Sequence, residues 1–357
     1  MKVVLIVIGA GLLVIIVLVT RFFYRIGKPV NSSISDSYYY HAWKEKIIYS
    51  PMGNWFELGY TETQADPSTF KLLSRNFGKD KQFVFWNGQK QDVDHKSFIV
   101  DEYNIAKDDI RVYYQHDYGS RLSIIEDANP KTYKPLTLEK ETYGQRWGKD
   151  EKAVFLYGKK IDADGKTFVR LNQSLAMDNT YLYAIVDDYT ATSGTAEDNT
   201  SVVRKNERPA GEAEALNDYY TRIGNTIILS NWKNPFSLLN FDKIGAINVI
   251  DERNVVINNT LISDGKLLPA VDVATLVIVD RDYLKDENAV YYDTDKISEA
   301  DPSTFSAITE FYAKDRQHVF YKTHVLAGAD PSSFTVNYAT GIGTDGKLSF
   351  KDGLLIK

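Results

Sequence analysis

One segment recurs in tandem along this 357-residue chain, and a repeat of that size dictates the architecture before any chemistry enters. Its clearest copies follow one another: KDENAVYYDTDKISEADPSTF opens at Lys285-Asp286, and KDRQHVFYKTHVLAGADPSSF opens at Lys314-Asp315. Each is a Lys-Asp turn, a Val-aromatic-aromatic strand, a short connection and then Ala-Asp-Pro-Ser-x-Phe. Two markers carry the repeat back toward the N-terminus. The turn aspartate stands at Asp80, Asp108, Asp150, Asp178, Asp251, Asp286, Asp315 and Asp345. An aromatic or apolar residue precedes the next aspartate by 10 residues at Phe70, Phe98, Phe168, Leu276 and Phe305, and by 11 at Phe334. A unit of roughly 30 residues made of short strands cannot bury its apolar face alone, so neighbouring units must stack or extend one sheet.

Within a unit the residue types point to three short strands. Val84-Phe85-Trp86, Val112-Tyr113-Tyr114, Val154-Phe155-Leu156, Val290-Tyr291-Tyr292 and Val319-Phe320-Tyr321 place β-branched and aromatic residues in one order, as the first strand of a hairpin would. Asn87-Gly88 then supplies positive φ at both centres of a type I′ turn, and Gly158 stands in a similar place after Tyr157. Asp66, Asp301 and Asp330 can cap free N–H groups, while Pro67, Pro302 and Pro331 preset φ for a helical turn. Phe70-Lys71-Leu72-Leu73 and Phe98-Ile99-Val100 read as the third strand. With 24 Tyr, 17 Phe and 5 Trp, residues that suit pleated surfaces, the fold class is an all-β repeat array.

Val3 to Val19 is an unbroken run of Val, Ile, Leu, Ala and Gly, which as a helix spans about 25 Å and predicts one N-terminal transmembrane helix. Phe22, Phe23 and Tyr24 suit the membrane interface, and no small-x-small cleavage site precedes Arg21. The expected organisation is an anchor and flank over 1–30, a linker over 31–37, an N-terminal array over 38–186, a flexible acidic insertion over 187–218 and a C-terminal array over 219–357. The insertion rests on Asp187 to Ala215, with seven acids against three bases and little apolar pattern. A smaller insertion is expected at Glu139 to Arg146. Asn225 to Leu229 and Asn254 to Ile257 look like degenerate copies that keep the strand but lose the aromatics.

The tandem of Lys-Asp, Val-aromatic-aromatic and Ala-Asp-Pro-x-[Ser/Thr]-Phe resembles the DKNYY family of bacterial repeat proteins. Lys79-Asp80, Lys149-Asp150, Lys285-Asp286, Lys314-Asp315 and the three Ala-Asp-Pro elements carry the resemblance, over most of residues 38 to 357. It weakens between 173 and 270, where Asp178 lacks the lysine. The family is defined by its repeat rather than by an activity. The resemblance therefore implies bacterial origin and envelope association, and brings no site residues.

Composition narrows the rest. A net charge of −6 argues against nucleic acid as a partner, and the absence of cysteine removes disulfides, thiolate nucleophiles and Cys-ligated metals. His41, His95, His116, His318 and His324 show no metal-pair spacing, and Asp162-Ala163-Asp164-Gly165 starts like a calcium loop but lacks its third acidic position and distal Glu. Its alignment with the Ala-Asp-Pro turn makes Asp164 a cap instead. Gly341 to Lys347 lacks the spacing of a phosphate loop. No catalytic, cofactor or metal residues are expected. The expected function is a non-enzymatic, single-pass membrane repeat protein, its body outside the cytoplasm, serving as a structural or protein-interaction module in a bacterial envelope. The competing expectation is a carbohydrate-binding surface using Trp86, Tyr114, Tyr292 and Tyr321, with an envelope protein or a glycan as partner. Continuous exposure of those four would favour it.

Overall fold

The computed structural model describes residues 26–116, 119–138, 147–187, 201–231 and 234–356. Among them it shows no α-helix, one 3-10 turn at Pro51–Gly53, and ten four-stranded sheets whose strands follow one another in sequence order. The sheets span residues 26–62, 71–91, 99–124, 134–161, 169–207, 213–240, 247–268, 277–296, 306–325 and 335–355. Each repeat thus forms four strands where the sequence predicted three. The missed strand is the one that runs into the Lys-Asp turn, such as Phe77–Lys79 or Tyr312–Lys314. At three residues it is too short for alternation to show. The Lys-Asp turn therefore lies inside a sheet, between its second and third strands, and the Ala-Asp-Pro segment joins one sheet to the next.

The described residues fall into two compact units, one within 26–170, 177–181, 187 and 201–203 and the other within 171–176, 182–186 and 204–356. Within each unit consecutive sheets pack face to face. Val84 and Trp86 of the second sheet meet Ala106 and Tyr113 of the third around Phe98, while Phe85, on the opposite face, meets Tyr38 and Ile47 of the first near Phe70. The same arrangement puts Tyr283 and Val290 against Ala313 and Phe320 around Phe305. Strand alternation explains it, because the first and third residues of each triplet face one neighbour and the middle residue the other. The phenylalanine that ends each Ala-Asp-Pro element is the wedge between sheets. Phe305 lies 5.4 Å from the Tyr283 ring and 5.8 Å from Phe320, and Phe334 lies 5.8 Å from Tyr312 and 6.2 Å from Phe350.

The expected boundaries change accordingly. Ile26–Pro29 is the first strand of the first sheet, paired with Tyr38–His41, so residues 31–37 are a turn within that sheet and not a linker. Ser201–Glu207 and Ala213–Ala215 are strands, which an edge position allows with few apolar residues because ladder hydrogen bonds suffice there. They fall inside the stretch expected to be a flexible insertion, whose residues 188–200 lie outside the described residues, as do Glu139 to Arg146. Among the described residues no helix is long and apolar enough to cross a membrane, and Val3 to Val19 lies outside them.

Candidate functional site

The signature residues bond to the backbone. Asp80 Oδ1 accepts the N–H groups of Gln82 and Phe83 at 2.8 and 2.7 Å, and its Oδ2 accepts Asp66 N–H at 2.9 Å from the preceding Ala-Asp-Pro turn. Asp315 repeats this with Gln317, His318 and Asp301 at 2.7, 2.6 and 3.0 Å. Asp108, Asp150, Asp178, Asp286 and Asp345 do the same. Burial opposes the ionised form at Asp315 and Asp108, yet their hydrogen bonds prevail and hold both carboxyls below the ordinary range. Backbone N–H groups hold Asp345 down to about 2. The preceding lysine reaches the following connection: Lys285 Nζ donates to the carbonyls of Pro302 and Phe305 at 2.7 and 3.1 Å, and Lys314 Nζ to Pro331 at 2.9 Å. Aspartate fixes the turn before a sheet and lysine the turn after it.

Asp251 is an exception to the marker pattern. Its Oδ1 accepts Arg253 and Asn254 N–H at 2.7 Å each, but between the first and second strands of the seventh sheet, where Asn172 and Asn217 act in their own sheets. The sixth and seventh sheets have tight turns at Gly224-Asn225 and Asn258-Asn259 in place of the Lys-Asp loop.

The four aromatics singled out from sequence do not form one exposed face. Trp86 is 3% exposed and stacks on Phe77 at 6.1 Å, so it offers no surface to a sugar. Tyr114, Tyr292 and Tyr321 are half-buried, on three different sheets. Tyr292 and Tyr321 sit edge-on to Tyr283 and Tyr312, each at 4.9 Å. Tyr114 and Tyr321 also cover Gly158 and Gly353 in the turn of the next sheet. Residues at this position pack one sheet against the next.

Sequence reasoning missed a cavity of about 740 Å³ in the second unit, lined by residues of the sixth, seventh and eighth sheets and their turns. In its wall the Arg253 guanidinium is held by three carboxylates. Nε reaches both oxygens of Asp264 at 3.1 and 3.0 Å, Nη2 reaches Asp293 Oδ1 at 2.9 Å, and Nη1 bonds Asp282 and, at 2.7 Å, the Arg281 carbonyl. Asp264 and Asp293 occupy the first position of equivalent hairpin turns, with φ of 45° and 59°. Burial, followed by a hydrogen bond to Asp264, pushes the Asp293 carboxyl up, while its carboxylate partners, with Asp264 first, raise Arg253 further against the opposing effect of burial. A smaller cavity of about 290 Å³ in the first unit is lined by Glu62, Gln89, Lys90 and Arg121 among others.

The remaining candidates settle into the fold. Asp164 Oδ1 accepts Lys166 N–H at 3.0 Å and its own N–H donates to Asp178, as the cap reading requires. His95 Nε2 lies 2.9 Å from the Asp80 carbonyl, and buried His318 Nδ1 lies 3.6 Å from the Asp315 carboxylate without a hydrogen bond. Among the described residues no three His, Cys, Asp or Glu side chains are grouped to hold a metal. In comparison with known proteins, the DKNYY family model matches residues 40–188 and 215–353. No curated protein and no solved structure matches.

Proposed function

The chain belongs to the DKNYY family, and from that premise we propose that it is a non-enzymatic, membrane-anchored repeat scaffold, a structural or protein-interaction module of a bacterial envelope. The observation that carries this reading is the use made of the signature. Its Asp, Lys and Phe side chains are engaged with backbone groups and neighbouring rings, so what the family repeat specifies is the packing of one sheet on the next. The apolar run Val3 to Val19 supports an N-terminal anchor, with the body outside the cytoplasm and an envelope protein as partner. Fractionation of cells expressing the full chain, with protease added to intact cells, tests place and side together. The body is expected in the membrane fraction and to be cleaved from outside. Recovery in the soluble fraction, or protection until lysis, would overturn the anchored, outward reading.

A further inference from the structure

The first sheet packs on the second through one face and turns large apolar side chains outward on the other. Tyr38, Tyr40 and Ile47 face the second sheet, so strand alternation points Tyr39 and Ile48 the opposite way. The connection from Ile47–Tyr49 to Thr61–Glu62 closes over that outer side: a Cβ on Gly53 would come 3.0 Å from the Tyr39 hydroxyl, and Ser50 Oγ donates to the Gly59 carbonyl at 3.2 Å. Met52, Phe56 and Leu58 are exposed on this connection, and Trp55 stands edge-on to Phe56 at 6.0 Å. At the other end of the same strands His41 pairs with Ile26, the first described residue, and its Nδ1 accepts the Trp43 N–H at 3.0 Å. Trp43 is 62% exposed and Phe56 68%. Among the described residues no other tryptophan reaches that exposure, and the next phenylalanine, Phe311, stands at 36%. Terminal repeats of a soluble stack present a polar outer face, and this one does not.

We propose that this side of the first sheet docks on the surface of the lipid bilayer, an inference that rests on the membrane-anchored reading above. The covalent chain is the argument for a bilayer. Ile26 follows Val19, the end of the apolar run, by seven residues, and seven residues reach at most about 25 Å. With the run in the bilayer, the strand Ile26–Pro29 begins within that distance of the hydrocarbon boundary, and the Trp43 turn lies beside its start. The strand Tyr38–His41, four residues long, spans about 13 Å, so one flat surface meets both the Trp43 turn and the Met52 to Leu58 connection. The residue types fit that surface. Tryptophan rings settle at headgroup level, and Met52, Phe56 and Leu58 can enter the acyl boundary. Exposed Lys28, Lys44 and Lys46 are offset by Glu45, Glu57 and Glu62, so burial of apolar side chains, and not charge, carries the docking.

The chain has no cysteine, so a single introduced cysteine reports a single place. The test reconstitutes the full chain in vesicles of phosphatidylethanolamine and phosphatidylglycerol, floats them on a density gradient, and reads a fluorophore attached at Trp43→Cys, Phe56→Cys or Ile110→Cys, all exposed positions. Ile110 is apolar too, but it belongs to the third sheet, and sheets packed about 10 Å apart put it roughly 20 Å beyond the docked surface. Quenching by lipid that carries a nitroxide near the top of its acyl chain is expected to be about threefold or more stronger at positions 43 and 56 than at 110. Vesicles that float with the chain but show no such contrast overturn the docking and leave the anchor standing. Positions 43 and 56 shielded from both the lipid quencher and aqueous iodide would mean that a protein or a second copy of the chain covers the surface, which also overturns it. A chain that does not float overturns the anchored reading and the docking with it.

Discussion

Replacing Asp315 separates the two tasks of the signature carboxylate. In Asp315→Asn the remaining carbonyl oxygen can still accept Gln317 and His318 N–H, as Asn172 and Asn217 do in the fifth and sixth sheets. The amide NH₂ would then face Asp301 N–H, donor against donor, where Oδ2 now accepts at 3.0 Å. Asp315→Ala loses all three acceptors. A hydrogen bond to a charged group contributes roughly 1.5–3 kcal/mol, and a buried donor left unpaired costs about 1–3 kcal/mol. The expected losses are therefore about 2 kcal/mol for Asn and about 4 kcal/mol for Ala. A repeat stack need not unfold in one step, so the assay is native-state hydrogen exchange of the amides of residues 312–321, read beside urea unfolding. Equal losses for Asn and Ala would refute the division of labour between the two oxygens. A loss below about 1 kcal/mol for Ala would refute the structural role altogether.

Three further outcomes follow from the same geometry. Asp108, Asp315 and Asp345 have folded-state pKa values below their unfolded ones, so their contribution is complete above about pH 4 and is lost as pH falls through the folded values, near 2 for Asp345. Urea midpoints should accordingly be flat near neutrality and fall below about pH 4, and a midpoint that rises on acidification would contradict the assignment. A Cβ on Gly78 would come 2.1 Å from Phe70 Cζ, so Gly78→Val should cost about 2–3 kcal/mol in thermal unfolding, with partial recovery on adding Phe70→Leu. Tyr220→Phe removes the bridge to Arg253 and Gly265 and leaves the buried Gly265 N–H unpaired, while the Arg253 carbonyl keeps the Asp264 N–H at 3.0 Å, an expected loss of about 1–3 kcal/mol; a neutral result would mean that water replaces the hydroxyl.

What could be read from sequence is what local chemistry determines. Asp301 and Pro302 define their own turn, Asn87-Gly88 its hairpin, and the β-branched and aromatic triplet its strand, so these elements stand where the residue types put them. Asp251 was misleading because an aspartate capping N–H groups two and three residues on looks alike in either turn of the sheet, and only strand pairing distinguishes them. The strand Tyr312–Lys314 was hidden because three residues, one of them the signature lysine, carry no period. The cavity was hidden because Arg253, Asp264, Asp282 and Asp293 are up to 40 positions apart and only strand register and the packing of consecutive sheets bring them together.

Arg253 shows how a degenerate copy is tied to its neighbour by charge. It stands where the neighbouring sheets have Tyr219 and Asp282, and its guanidinium holds Asp264 of its own sheet together with Asp282 and Asp293 of the next. The apolar contact between these two sheets is separate, made by Val256 and Leu261 against Leu284 and Tyr291. All four charged groups keep part of their surface in water, so each pair contributes little and the cluster acts as a small network. Arg253→Ala is therefore expected to cost about 1 kcal/mol in urea unfolding, much of it lost at high salt. A cost that salt does not reduce would mean that Arg253 acts through packing and not through its charge.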